Sequence, residues 1–403
     1  MLRRVSLVAL VFGSFALSVC AGDWPQWRGP NRDNHVVGFA VPSAWPKELK
    51  QAWKVEVGDG LASPVLVGDK VYVFTRQGDD EVIRCLDAGT GKEVWKDKYA
   101  AVKVTGAAGG LGKGDKFTGP RSSPAVGDGK VCTFGVGSVV SCLNASDGKV
   151  LWRKDTKATP KFFTATSPMV ESGLCIVHTG GEARGQLTAY DLTSGEEKWK
   201  WTGDAPAHGS PVVATLGGKK QVVELSATGL VGVSLADGKQ LWQYPFSMGR
   251  YQTATPVIDK DVVICAGTAV TIEKKDDGLA AKFLWKDQAP HQYNTPVVKD
   301  GFLYGLKGMG QTSKIYCQDV KTGKVACEDT TSRGSCGTIL DAGPVMVELS
   351  SDSNLVVFKP DDKDYVEVAK YKVADTGMWA SPILDGKRVF VKDRDSLILW
   401  TID

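Results

Sequence analysis

Eight times along the chain a small residue and a proline open a run in which apolar and polar positions alternate, and the run usually closes on an Asp…Gly-Lys turn and a tryptophan. The openings read LASPVLVGDKVYVF, RSSPAVGDGKVCTF, ATSPMVESGLCIV, HGSPVVATL, TATPVIDKDVVIC, YNTPVVKDGFLYG, DAGPVMVEL and WASPILDGKRVFV. Their prolines are Pro64, Pro124, Pro168, Pro211, Pro256, Pro296, Pro344 and Pro382. The spacings of 60, 44, 43, 45, 40, 48 and 38 residues average about 45, the length of a four-stranded propeller blade. Stretches such as Lys70 to Phe74 and Gln221 to Leu225 are short, rich in β-branched and aromatic residues, and bounded by Gly and Asp. They predict strands, and nothing within a unit reads at helical period.

The closing turns read DAGTGKEVW, NASDGKVLW, DLTSGEEKW, SLADGKQLW and DVKTGKVAC. Asp or Asn hydrogen-bonds the backbone two residues on, and the glycine supplies the positive φ of a tight turn. Four residues after each glycine stands Trp95, Trp152, Trp199, Trp242 or Cys327, with Trp285 and Tyr371 in that place in units five and seven. A large flat side chain on an outer strand is expected to bury against the neighbouring blade.

Only 21 residues follow Pro382, enough for three strands. Trp53 precedes Pro64 by 11 residues, the interval that separates Trp285 from Pro296 and Tyr371 from Pro382. The segment Gln51 to Val57 therefore supplies the missing outer strand, and the two ends of the chain close the ring. The expected fold is all-β: an eight-bladed β-propeller of four-stranded antiparallel blades, closed by an N-terminal strand that completes the last blade. The expected organisation is a leader over 1–21, an aromatic arm over 22–50 and the propeller over 51–403.

Composition adds the compartment. The leader carries Arg3 and Arg4, an apolar run from Val5 to Val19 and a Val19-x-Ala21 end, the pattern of a secretory signal. Leu17-Ser18-Val19-Cys20 resembles a lipoprotein box with an unfavourable valine, which makes a lipid anchor at Cys20 a weaker expectation. The mature chain is expected in the periplasm or cell envelope, with no transmembrane segment. Its 49 basic and 46 acidic residues, less the two leader arginines, leave a charge near +1 without a basic stripe, which excludes a nucleic-acid footprint. Nine cysteines in an exported chain invite disulfides. Cys85, Cys142 and Cys317 recur at one strand position, however, and Cys132 and Cys175 are aligned with Tyr72, which reads as small buried hydrophobe. Cys317 with Cys327, or Cys327 with Cys336, is the best candidate for pairing.

No metal or nucleophile signature stands out: His35, His178, His208 and His291 are scattered, and the glycine-rich insert TGAAGGLGKGDKFTG fails the phosphate-loop pattern. The residue three before each proline is more informative: Leu61, Arg121, Ala165, His208, Thr253, Tyr293, Asp341 and Trp379 in turn. The residue just before each proline is nearly always Ser or Thr, whereas these vary in chemistry. In a radial array they form a ring at one channel mouth. Gln252, Gln292 and Asn294 add amides, and Trp379 adds a stacking face. The alternative is that loop residues vary because they are solvated. Arg121, His208, Gln252, Tyr293, Asn294, Asp341 and Trp379 are the candidate ligand-binding residues; no catalytic or metal-binding residue is assigned. The arm, DWPQWRGPNRDN, is too aromatic to stay in water and is expected to pack on the propeller or dock a partner.

The unit of Ser-Pro opening, Asp87-x-x-Thr90-Gly91-Lys92 turn and closing Trp95 resembles the pyrroloquinoline-quinone-repeat family of eight-bladed propellers over residues 53–403. The opening Trp24 to Asp33 is similar to that of a bacterial branch of the family akin to BamB, the outer-membrane assembly lipoprotein. The family includes quinoprotein dehydrogenases and non-catalytic scaffolds. Its dehydrogenases hold the quinone over the channel mouth with calcium, an acidic base and often an adjacent-cysteine disulfide; this chain has no adjacent cysteines. The resemblance implies an exported, non-catalytic binding or scaffold protein with envelope or outer-membrane partners. The alternative is a dehydrogenase of alcohols or sugars that uses pyrroloquinoline quinone and Ca2+, with Trp379 stacked on the quinone and Arg121, His208 and Asp341 as polar ring partners; the ring position, not the resemblance, offers Arg121 for a quinone carboxylate and Asp341 as base. Glycan binding without catalysis rests on the same ring.

Overall fold

The computed structural model describes residues 22–104, 117–246, 253–276, 278–287, 293–308 and 312–403. Alternation and turn chemistry produce the expected architecture. Thirty-two strands form eight four-stranded antiparallel sheets, and no helix interrupts them among the described residues. Blade 1 runs outward from the channel through Val65–Val67, Lys70–Gln77, Asp80–Asp87 and Glu93–Ala100. In blade 8, Ile383–Asp385, Arg388–Lys392 and Ser396–Thr401 are completed on the outside by Lys50–Glu56, which pairs with the last strand from Lys50↔Thr401 to Glu56↔Ser396. The ring thus closes between the two ends of the chain.

The core is a series of seams. Val65, Tyr72, Phe74, Cys85 and Trp95 of blade 1 pack against Val131 and Leu143 of blade 2. The outer tryptophans do more than fill space. Five indole N–H groups reach the closing turn of the next blade: Trp53 to Ala88 O (3.2 Å), Trp95 to Ala145 O (2.9 Å), Trp152 to Leu192 O (3.2 Å), Trp199 to Leu235 O (2.9 Å) and Trp285 to Val320 O (2.7 Å), whereas Trp242 donates to Gln221 Oε1 within its own blade. The turn glycine lies directly under the ring. At Gly148 φ is +74°, and an added Cβ would stand 2.5 Å from the Trp95 ring. Gly148→Ala should therefore cost about 2–3 kcal/mol, combining the left-handed backbone with overpacking. Chemical denaturation measures this, and a loss no larger than that of a solvent-facing Gly→Ala control would refute the contact.

Blade 7 departs from the expected register. Its inner strand is Gly337–Asp341, and Pro344 lies beyond it, in the turn where the Ala342 N–H meets Val345 O. The row Val65↔Tyr72↔Cys85↔Trp95 of blade 1 corresponds to Leu340↔Val347↔Val357↔Ala369, with the outer-strand bulge in the same place. Ile339 therefore takes the proline's position, Thr338 that of the preceding hydroxyl, and Ala369 that of the outer tryptophan. Tyr371, expected there, instead donates to Pro46 O of the N-terminal segment (2.8 Å). The physical reason is that an apolar Ile fills the same space as the proline, while the later proline is free to shape a turn.

Cys175 also moves by one position, since it faces Val170 and Tyr190 while Ile176 takes the place of Tyr72. The eight described cysteines are free thiols. Cys317 and Cys327 stand opposite each other on neighbouring strands.

The first part of the segment 22–49 meets the inner strands, and its later part reaches the outer strand of blade 7 at Tyr371. Trp24, 2% exposed, exchanges two backbone hydrogen bonds with Leu66, on the innermost strand of blade 1. The segment that follows runs into the channel from the hairpin end, where inner strands turn into second strands.

Candidate functional site

The loop end of the channel, where the chain drops from one blade into the next inner strand, is ordered by a belt of hydroxyls. Ser63 N donates to Ser123 Oγ (2.9 Å), Ser123 N to Ser167 Oγ (3.0 Å), Ser167 N to Ser210 Oγ (2.9 Å), Ser210 N to Thr255 Oγ1 (3.3 Å) and Thr255 N to Thr295 Oγ1 (3.0 Å). Ser381 N returns to Ser63 Oγ (2.8 Å). The near-uniform Ser or Thr before each proline is thus structural: its hydroxyl satisfies a backbone N–H that the inner edge of a blade leaves unpaired.

Above this belt the candidate residues separate into groups. Arg121 and His208 come together on the side of blades 2 to 4. The Arg121 guanidinium donates to Phe162 O, and the Phe162 ring lies 6.5 Å from the His208 ring. Burial pushes the His208 imidazole down to about 4, reinforced by the Arg121 charge, so it is neutral at neutral pH. Burial also lowers the Arg121 guanidinium, against the opposing charge of Asp59. Phe162 and Phe163 both have φ of +66°, strained for bulky side chains, with Lys161 over the Phe162 ring at 5.8 Å. The aromatic pair in PKFFTATSP does not stand at the fixed offset from the prolines that marks the other mouth residues. Two adjacent aromatics in a polar connection were the available signal.

Trp379 belongs to a second group. Its ring meets Phe117 edge-on, with centroids 4.5 Å apart and planes at 68°, and Arg394 caps Phe117 at 5.3 Å. Tyr293 is half exposed. Asn294 is buried and its Oδ1 accepts from Gly337 N at 3.1 Å, so it ties blade 6 to blade 7. Gln252, like Gln292, lies outside the described residues.

Asp341 does not join the ring. Because Pro344 lies past the inner strand, Asp341 sits at the hairpin end, across the channel's length from Arg121. Its Oδ2 is 3.0 Å from His35 Nδ1, its Oδ1 is 3.2 Å from Lys299 Nζ, and Oδ1 accepts from Gly343 N at 2.9 Å. Burial alone would raise this carboxyl, yet the hydrogen bonds of His35 and Gly343 and the charge of Lys299 hold it below its ordinary value.

The acidic candidate lies at the opposite end from the others, Arg121 is engaged by a main-chain carbonyl, and the Trp379 ring packs against Phe117. Among the described residues no three His, Cys, Asp or Glu side chains are grouped as a metal site would need. The loop end instead offers a cation beside a neutral imidazole under aromatic cover, and an exposed tyrosine: a surface able to take hydrogen bonds, π contacts and negative charge.

Comparison with known proteins finds relatives of both kinds, BamB proteins and quinohemoprotein alcohol dehydrogenases. A family model described as outer membrane protein assembly factor BamB matches residues 79–328. The chain is 30% identical over 363 residues to the outer membrane protein assembly factor BamB of Burkholderia pseudomallei, covering 86% of each. It is 23% identical to that of Yersinia pestis, over 77% of this chain and 70% of the relative. The quinohemoprotein alcohol dehydrogenase of Comamonas testosteroni is 29% identical over 211 residues, 49% of this chain but only 28% of the enzyme. Among solved structures, that of a quinohemoprotein alcohol dehydrogenase from Comamonas testosteroni superposes with a TM-score of 0.70 at 16% identity, over 94% of this chain and 80% of the other. BamB from Moraxella catarrhalis gives 0.62 at 13%, over 88% and 97%. At such identities the superpositions establish the propeller alone.

Proposed function

The chain belongs to the pyrroloquinoline-quinone-repeat propeller family described as outer membrane protein assembly factor BamB, and from that premise we propose that it is an exported, non-catalytic binding or scaffold protein of the bacterial cell envelope. Its partner is an envelope or outer-membrane protein, met at the loop end of the channel. The observation that carries this reading is the dispersal of the quinone-binding candidates. Asp341 lies at the hairpin end with His35 and Lys299, so the acid candidate of a dehydrogenase does not meet Arg121 and Trp379 at the loop end.

The leader over 1–21 supports export, and Cys20 is the candidate for a lipid anchor. No helix among the described residues is long and apolar enough to cross a membrane. The near-neutral charge of the mature chain argues against nucleic acid.

Tagged protein recovered from solubilised envelopes tests the surface. Tyr293→Ala and Arg121→Ala are expected to weaken capture of a co-purifying envelope partner about tenfold, the scale of an interface residue worth over 1 kcal/mol. Thermal unfolding of both variants should stay close to the parent. Unchanged capture by both would remove the loop end as the docking surface. The oxidoreductase alternative is tested by titrating the purified protein with pyrroloquinoline quinone, with and without Ca2+, while following tryptophan fluorescence. Saturable quenching that disappears in Trp379→Ala would overturn the scaffold reading.

A further inference from the structure

The inner edge of a propeller blade exposes unpaired N–H and C=O groups to the channel, and something must satisfy them. In this chain the N-terminal segment does so around most of the ring. Trp24 N donates to Leu66 O (2.7 Å) and Leu66 N to Trp24 O (2.9 Å) in blade 1, and Val126 N of blade 2 donates to Pro25 O (2.8 Å). Trp27 Nε1 reaches Thr255 Oγ1 of blade 5 (3.1 Å). In blade 7, Asn34 Nδ2 donates to Ile339 O (2.9 Å), Asp341 N to Asn34 O (2.9 Å) and Val36 N to Asp341 O (2.8 Å). Ala40 N donates to Gly386 O of blade 8 (2.9 Å).

Two arginines bolt this segment across the channel. Arg28, 1% exposed, donates from Nη1 to Thr295 O (3.2 Å) and from Nη2 to Pro296 O (2.7 Å) in blade 6, and from Nε to Arg32 O (3.2 Å). Arg32, 2% exposed, donates from Nη1 to Pro168 O (2.9 Å) and from Nη2 to Ser167 O (3.3 Å) in blade 3, three blades away. Burying two guanidinium ions is costly unless their donors are met, and here main-chain carbonyls of nearly opposite blades meet most of them. The backbone carries a second, independent sign. Arg28, Arg32 and Asn34 have φ of +65°, +60° and +65°, all in the left-handed region without being glycine. So coiled a conformation persists only where the surroundings over-determine it.

We propose that residues 23–40 are the keystone of the ring: they fill the channel from the hairpin end up to the hydroxyl belt, tie the inner strands to one another, and leave only the mouth above the belt to be entered from the loop end. The plug is independent of what binds there. It assigns Arg28 and Arg32 a positioning role, explains why two tryptophans and two arginines share a short segment, and makes the channel a cup with a polar floor. It also ties to blade 8, the blade that Lys50–Glu56 completes.

Hydrogen exchange on the full-length mature protein tests this. The amides of Leu66, Val126 and Asp341 are covered by arm carbonyls. In an Arg28→Ala/Arg32→Ala variant they should exchange about 100-fold faster, and the closing pair Lys50–Glu56 with Ser396–Thr401 should lose protection with them. Parent-like protection of the three amides overturns the proposal. Should the double variant fail to fold, a protease site inserted between Val37 and Gly38, both exposed, keeps the test open, because the chain is cut only after folding. Retention of the cut arm through size exclusion, or its loss together with protection of the closing pair, supports the keystone role. Departure of the arm with the closing pair and the inner-strand amides unchanged refutes it.

Discussion

Trp95→Ala is expected to lower the unfolding free energy by about 3–5 kcal/mol, the range for emptying a buried indole site. The side chain is 8% exposed and packs beside Tyr72, with ring centroids 5.9 Å apart. It spans the seam to blade 2, where its N–H holds Ala145 O and its ring covers Gly148. The closing turn of blade 2 cannot collapse into the vacated space, because the ladder Cys142↔Trp152 pins it to its own sheet. Trp95→Phe separates the two contributions: it keeps most of the apolar contact and drops the hydrogen bond, for a smaller loss of about 1–2 kcal/mol. Urea titration of both variants is the measurement. A Trp95→Ala loss below about 1 kcal/mol, within the range of surface substitutions, would show that the seam does not depend on the indole. Trp152 makes the same contacts with Leu192 and Gly195, so the effect should recur one blade on.

The propeller was legible because its determinants are local and repeated. A Ser-Pro opening, a turn glycine and an aromatic four residues later recur often enough that one degenerate copy does no harm to the count. That copy, blade 7, is where position-by-position transfer failed. Ile339 stands in for the proline and Pro344 moves into the next turn, so counting back three residues landed on Asp341 at the wrong end of the strand. The channel mouth was less legible for a different reason. Neighbours such as Arg121, Phe162 and His208 come from three blades, and only their shared closeness gives them meaning. The plug was half visible. Two tryptophans announce burial, but arginine is ordinarily a surface residue, and nothing in the spelling RGPNRD shows that carbonyls wait for it across a channel.

Two strands carry a glutamate inside an otherwise apolar run, in KKQVVELS and again in PVMVELS. Glu224 and Glu348 occupy the same place, one residue beyond Val223 in blade 4 and Val347 in blade 7. Both are fully buried, but their surroundings differ. Glu224 has His178 Nδ1 at 3.1 Å and lies in the field of Arg32. Neither oxygen of Glu348 has a hydrogen-bond partner among the described residues. The Ser350 hydroxyl beside it donates to Asp352 at 2.6 Å, and Arg333 is engaged by Asp329 and the Tyr365 hydroxyl.

Burial therefore pushes the Glu348 carboxyl up to about 8, with the Arg333 charge opposing. A carboxyl whose folded value exceeds its unfolded value keeps its proton in the native state while the unfolded chain loses it. Stability then falls as pH rises from about 4.5 to about 8, by up to 1.36 kcal/mol per pH unit. Below that window both states are protonated and no penalty remains; above it both are ionised and the penalty is constant. Glu348→Gln should match the parent near pH 4 and exceed it by about 4–5 kcal/mol at pH 8 to 9, an upper figure if water enters the seam. Urea unfolding of both proteins at pH 4, 6 and 8 isolates the effect, because every other titrating group cancels in the difference. Parallel profiles would mean that Glu348 ionises in its ordinary range and that the seam between blades 6 and 7 is wet. A difference that opens with pH would identify one glutamate as a limit on alkaline stability, in a ring whose other buried charges have found partners.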